Sequence, residues 1–168
     1  MAKTHHYREV DGTYFDAAPA GDKLRQSIPA SAAATFRSFE DAEAWPQWLD
    51  AIDEVTWTTP QPFGVGTTRE IKGRAGVISE YFFAWDNGRR MSFFFDRGPL
   101  RVVGAFAEDY ELVPTGDDSC ELVWRYAFEC PGGYRVLQPL IAFVFKRMGT
   151  KWLGQLAEFM AQHGAQYG

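Results

Sequence analysis

Glu121-Leu122-Val123-Trp124-Arg125-Tyr126-Ala127-Phe128-Glu129 alternates large apolar side chains with smaller or charged ones at a period of two. A short way on, the period changes. Leu137, Leu140, Ile141, Val144, Phe145, Met148, Trp152, Leu156, Phe159 and Met160 recur at spacings of three and four. The first pattern is that of a strand with one buried face. The second predicts a long helix from about Arg135 to His163 with one broad apolar face, Pro139 falling in its first turn or at a break before it. A twisted sheet covered by one long helix is a two-layer α+β design.

Upstream, from Ile52 to Cys130, the chain has the texture of strands and turns. Turn signals fall at Phe63-Gly64-Val65-Gly66, Lys72-Gly73-Arg74-Ala75-Gly76, Asp86-Asn87-Gly88, Arg97-Gly98-Pro99 and Thr115-Gly116-Asp117-Asp118. Asn87-Gly88 between two aromatic runs predicts a hairpin, because both positions tolerate positive φ. Short connections throughout imply an antiparallel meander of about six strands. Before it come a strand at Lys23 to Ile28 and a break at Pro29-Ala30-Ser31. A helix follows with Ser31 as N-cap, running through Phe39, and then a second short helix over Asp41 to Leu49. Residues 1–22 are polar and read as an N-terminal arm, leaving 23–168 as the folded domain.

A chain of 168 residues fits one domain with a real core. Its hydrophobic and charged fractions are ordinary, but 14 Phe, 7 Tyr and 6 Trp make 16% of it aromatic. A net charge of -5 argues against general nucleic-acid binding and against docking on acidic membrane surfaces, local patches aside. The longest apolar run, Pro139 to Phe145, is too short to span a bilayer, so no stable membrane insertion is expected. Cys120 and Cys130, placed on one extended segment, would lie roughly 30 Å apart and could not form a disulfide. Nothing in Met1 to Asp22 resembles a signal peptide, and a cytoplasmic location is the expectation. The oligomeric state is left open.

The order of strand, two short helices, meander and long final helix resembles the helix-grip fold. That fold is shared by START domains, the birch-pollen allergen group and the bacterial polyketide cyclase/dehydrase proteins of the SRPBCC superfamily. The most specific local resemblance is Ser27-Ile28-Pro29-Ala30 followed by Asp41-Ala42-Glu43-Ala44-Trp45-Pro46-Gln47-Trp48, which is similar to the opening of the polyketide-cyclase-like branch. Gly64-Val65-Gly66-Thr67 and Tyr110-Glu111-Leu112 resemble that branch as well. The likeness runs from about Lys23 to Gln162; residues 1–22 are a departure from it. It implies a curved antiparallel sheet of about seven strands, with two short helices and one long C-terminal helix around a cavity.

Strand periodicity sorts the side chains that would face such a cavity. Val77, Ser79, Tyr81, Phe83 and Trp85 form one set, opposite a set that contains Glu80, and are assigned inside. Met91, Phe93 and Phe95 are assigned inside, with Arg90, Ser92 and Phe94 outside. Leu122, Trp124, Tyr126 and Phe128 face inward in the last strand. Gly104, Phe106, Tyr110 and Leu112 share a parity with Glu108, and Asp109 and Glu111 take the other. Glu108 then points into an apolar interior, unless a β-bulge shifts it to solvent. Arg69 has the parity of Ile71 and is a candidate partner for Glu108 across the cavity; the alternative is a solvated strand face. With Trp48, Met148 and Trp152, the expected ligand-lining set is Trp48, Tyr81, Phe83, Met91, Phe93, Phe95, Phe106, Glu108, Tyr110, Trp124, Tyr126, Phe128, Met148 and Trp152.

His5, His6 and His163 lie at the two chain ends, so a histidine-based nucleophile within the strand core is not expected. No metal-ligand spacing or dinucleotide fingerprint is visible, and neither a metal nor a cofactor is expected. Catalysis, if present, falls to Glu108 and Arg69 as candidates, with a desolvated carboxyl working near neutrality. Three readings stay open. The first is binding of a small hydrophobic molecule such as a lipid, polyketide or aromatic compound. The others are a cyclase, aromatase or dehydratase acting on such a molecule, and a protein-interaction module with a filled core.

Overall fold

A computed structural model describes residues 4–168. A short strand β1 (His5–His6) and a helical turn α1 (Tyr14–Ala17) precede β2 (Ala20–Ile28), α2 (Ala32–Glu40) and α3 (Trp45–Trp48). The meander follows as β3 (Ile52–Trp57), β4 (Thr68–Gly73), β5 (Gly76–Asp86), β6 (Arg90–Gly98), β7 (Ala105–Gly116) and β8 (Ser119–Glu129). A 3₁₀ segment, Gly132–Leu137, leads into the long helix α4 (Gln138–His163). The sheet runs β2-β8-β7-β6-β5-β4-β3, every pair antiparallel, with β1 added against β6. This is the expected α+β helix-grip architecture.

Local chemistry sets the punctuation. Ser31 Oγ accepts the Ala34 backbone N–H at 3.1 Å and caps α2, which buries Phe36 and Phe39. Pro46 sits in the first turn of α3, where its missing N–H is not needed. Gly88 takes φ 74° in the β5–β6 turn, the left-handed region that Asn-Gly anticipates. Cys120 and Cys130 are both buried and free.

The sheet is covered on both faces. Its concave side holds the main core, including Phe39, Trp45, Phe82, Phe93, Leu122 and Phe128, closed by Leu153, Leu156, Phe159 and Met160 of α4. Its convex side carries a second cluster of Tyr14, Phe94, Ala105, Ala107 and Ala127, with Tyr81, Phe83, Val10 and Phe15 around it. The segment expected as an arm supplies that cover. Tyr7 and Arg8 donate backbone N–H groups to Asp96 O and Gly104 O, bridging β6 and β7 where these strands diverge. Tyr7 also packs its ring into the concave core, and its hydroxyl accepts the Leu100 N–H at 2.8 Å. β2 begins at Ala20, so the boundary drawn after residue 22 falls inside a strand.

Two expectations are corrected. In β5 the faces are inverted: Glu80 and Phe82 are buried in the concave core, while Tyr81 and Phe83 face the convex cluster. The cause is a register shift between Phe82 and Ala84 that leaves Phe83 as an extra residue. Parity counted back from Trp85, which does face inward, is reversed by that bulge. In α4 the apolar face is covered only along its second half. Leu137, Leu140, Val144 and Met148 are exposed, since the first turns carry apolar side chains on both sides of the helix.

Gly149 marks the change, because any Cβ there would overlap the Trp124 ring. Gly149→Ala is expected to destabilise by ~1–3 kcal/mol through overpacking. Gly154, with nothing near its Cβ position, is the control. Gly154→Ala is expected to stabilise by ~0.5–1 kcal/mol. Urea unfolding of the two variants checks the pair.

Candidate functional site

β4 and β5 are joined by the two-residue turn Arg74-Ala75, and the register it sets places Arg69 directly opposite Glu80. Arg69 Nε donates to Glu80 Oε2 at 2.6 Å, with the two side chains only 1% and 6% exposed. Around the guanidinium stands a cage of rings: Trp45 at 4.2 Å, Phe93 at 5.0 Å, Phe82 at 5.2 Å and Trp57 at 5.3 Å from its central carbon to the ring centroid. Such faces favour a cation that has left water. Burial raises the Glu80 pKa, against the opposing pull of the Arg69 charge and hydrogen bond. Arg69 Nη1 is buried with no partner among the described residues, and so is Trp48 Nε1.

Glu108 enters the same interior from β7. Its Oε2 accepts the Tyr110 hydroxyl at 2.7 Å and the Trp124 indole N–H at 2.9 Å. Burial, seconded by the charge of Glu80, raises its pKa to about 7, although both hydrogen bonds and the more distant Arg69 pull it down. Tyr110 is pushed well above the usual phenol range by burial and by the neighbouring Glu108 carboxylate, so it stays a donor. One strongly buried ion pair and one carboxyl poised near neutrality therefore share an apolar surround.

The space between sheet and helix is occupied by rings at contact distance. Trp45 and Trp48 lie 4.9 Å apart, Phe39 and Tyr110 5.4 Å, and Phe95 and Phe106 4.4 Å. From α4, Phe145 reaches down to Tyr126 at 4.7 Å, Phe106 at 5.2 Å and Trp124 at 5.8 Å. Phe145 is only half-buried, so this plug sits between the wall of the interior and the outside.

Of the residues expected to line a cavity, Trp48, Met91, Phe93, Phe95, Phe106, Glu108, Tyr110, Trp124, Tyr126 and Phe128 are brought together in the concave interior. Trp152 lies at its edge, half-buried, and donates its indole N–H to Asp50 at 2.9 Å. Tyr81 and Phe83 are elsewhere: with Tyr14, Phe94 and Arg8 they line an open cleft of about 580 Å³ on the convex side. Met148 is on the surface of α4. Arg69 faces inward, but it is hydrogen-bonded to Glu80 and not to Glu108. Sequence reasoning missed Glu80, Trp45, Phe82 and Phe145. The Arg69–Glu80 pair was within reach of it, since a two-residue Arg74-Ala75 turn pairs these positions by counting.

Residues 23–161 match the sequence profile of the family described as polyketide cyclase / dehydrase and lipid transport. The chain belongs to that family. An uncharacterized protein of Mycobacterium tuberculosis is 41% identical to it over 119 residues, spanning 67% of this chain and 70% of that one. Among solved structures, the Zhui aromatase/cyclase from Streptomyces superposes with a TM-score of 0.72 at 9% identity, covering 85% of this chain and 94% of its own. Norcoclaurine synthase from Thalictrum flavum gives 0.60 at 17% identity, with 85% and 94% covered. At such identities these likenesses establish the fold.

Two outcomes follow from the buried charges. The folded-state pKa of Glu108, about 7, lies above its unfolded value, so the native state holds the proton more tightly. Wild-type stability attributable to this group is then full below the unfolded pKa, falls by about 3 kcal/mol as pH rises from ~4.5 to ~7, and is flat above. Glu108→Gln lacks this loss, so its stability advantage over wild type grows across that window. Urea midpoints below and above the window measure it, and a constant gap would show that Glu108 does not titrate there. Separately, Arg69→Ala strands the Glu80 carboxylate and is expected to destabilise by ~3–5 kcal/mol, most of which Arg69→Met combined with Glu80→Gln recovers in the same assay.

Proposed function

We propose that the protein binds a small, largely aromatic or lipid-like molecule carrying an oxygen acceptor, held between the sheet and α4. The observation that carries this reading is the pair of buried donors without acceptors, Arg69 Nη1 and Trp48 Nε1, in an interior otherwise made of rings. A buried donor left unpaired is unfavourable by ~1–3 kcal/mol, and a ligand carbonyl, hydroxyl or carboxylate oxygen relieves it. Mostly apolar walls with a few polar points are what a small hydrophobic ligand requires. Because contacting rings line the interior and Phe145 stands between it and solvent, entry takes place by displacement of Phe145 and the unburied first half of α4. Membership of a family whose description includes both cyclisation and lipid transport supports the ligand class.

A second reading has one observation in its favour. Glu108 has a pKa of about 7 and two fixed donors on one oxygen, properties that suit a group taking or returning a proton near neutrality. On that reading the molecule is transformed as well as bound, by cyclisation or dehydration.

Native mass spectrometry of protein purified from its own host looks for the bound molecule. In parallel, 8-anilinonaphthalene-1-sulfonate, an aromatic anion, serves as a probe. Saturable binding to wild type is expected, tighter in Phe145→Ala. In Arg69→Met/Glu80→Gln it is expected to weaken by about tenfold or more, the value of one charged hydrogen bond. Binding that ignores all three substitutions sinks the proposal and favours an interaction module with a filled core. Turnover of the molecule found by mass spectrometry, lost in Glu108→Gln with affinity kept, would assign the acid–base role.

A further inference from the structure

The first half of α4, on the side away from Phe145, carries a surface that packs against neither the core nor the proposed ligand. Helical spacing puts Leu140, Phe143 and Val144 on the side turned away from the sheet, opposite Phe145 and Gly149. Phe143 is 66% exposed and Leu140 60%, and Val136 in the preceding 3₁₀ segment is 78% exposed. Arg147, one turn on from Phe143, continues the same side of the helix. Contiguous exposed apolar side chains of this size on a small protein mark a contact surface.

Charge indicates what the surface contacts. The chain carries a net charge of -5, yet from Pro131 to Ala157 it has four Lys or Arg and no Asp or Glu. Lys146 and Lys151 are paired with Asp22 and Asp50 at the flanks. Arg135 and Arg147 make no ion pair among the described residues and flank the apolar side chains. A second copy meeting this face through a twofold axis would bring like charges together. An anionic lipid surface accepts both components, the apolar side chains below the headgroups and the arginines among the phosphates. No helix among the described residues is long and apolar enough to cross a membrane, so the contact is peripheral.

We infer that residues 135–147 dock on an anionic phospholipid surface, with Leu140 and Phe143 inserted and Arg135 and Arg147 on the headgroups. Docking on this side leaves Phe145, on the opposite side of the helix, over the protein interior. The inference stands without the ligand reading, because the docking residues touch neither Glu108 nor Arg69.

Sedimentation of the full chain with vesicles of equimolar phosphatidylcholine and phosphatidylglycerol tests it, against pure phosphatidylcholine. Binding to the mixed vesicles, lost at high salt and weak on the neutral ones, is expected. Leu140→Ser/Phe143→Ser weakens it by about tenfold or more through lost apolar burial. Arg135→Glu/Arg147→Glu weakens it by about tenfold or more with the apolar ridge intact. The substituted side chains are exposed, so melting temperatures near wild type verify folding and keep both results interpretable. Absence of binding to either vesicle overturns the inference, as does equal binding to both. A concentration-dependent dimer in sedimentation velocity, abolished by Leu140→Ser/Phe143→Ser while vesicle binding is absent, assigns the face to self-association and overturns it too.

Discussion

A guanidinium and two carboxyls lie inside an interior built from aromatic rings, and the weak dielectric screening there governs how the rest of the concave face is arranged. Arg69 is stable in such a place only with Glu80 against it and ring faces around it. The register set by the Arg74-Ala75 turn keeps the two charges together, since a slip by one residue would turn one of them away from the other. It also places a second negative charge near Glu108, which helps hold that carboxyl at a pKa of about 7. Trp124 and Tyr110 answer by donating to Glu108, and the Trp124 ring, with Tyr126 and Phe106, forms the wall on which Phe145 rests. The polar cluster and the aromatic packing are one construction.

The convex side follows a different logic. A sheet of this length with one wet face would show polar residues there, yet Phe94, Ala105, Ala107 and Ala127 are buried. Residues before β2 provide the cover, with Tyr14 packed on the sheet and Tyr7 reaching the concave core. Arg90 and Ser92 hydrogen-bond the buried Asp109 on this side, at 2.7 Å for each of its shortest contacts, which satisfies a carboxylate that would otherwise be stranded. The bulge at Phe83 changes which parity of β5 faces inward, from Ile78, Glu80 and Phe82 before it to Trp85 after it.

The long helix is divided in the same spirit. Its second half is anchored by Leu153, Leu156, Phe159 and Met160, and Gly149 brings its axis close to Trp124. Its first half touches the interior mainly through Ile141 and Phe145 and leaves apolar side chains in water. An average charge of -5 conceals the basic character of this stretch, because the acids of the chain lie elsewhere.

The sequence by itself determined the elements and their order. Alternation in Glu121 to Glu129, the three-and-four spacing after Leu137, Ser31 as a cap and Asn87-Gly88 as a turn are local signals, written in neighbouring residues and read without knowledge of the partner strands. They also carried the inward faces of β6, β7 and β8, and with them the burial of Glu108, because no bulge interrupts the stretches on which those faces were counted. Only the tertiary structure decided the rest. The Phe83 bulge depends on how β5 pairs with β6, and one extra residue reverses the parity of everything before it. The partner of Arg69 needed the strand register as well as parity; the two-residue Arg74-Ala75 turn encodes that register, while the burial of the pair and its cage of rings came only with the tertiary structure. The role of residues 4–22 depends on a convex face that exists only once the sheet has formed. Which part of the apolar stripe of α4 is covered depends on where the helix axis meets the sheet, a distance that no local period encodes.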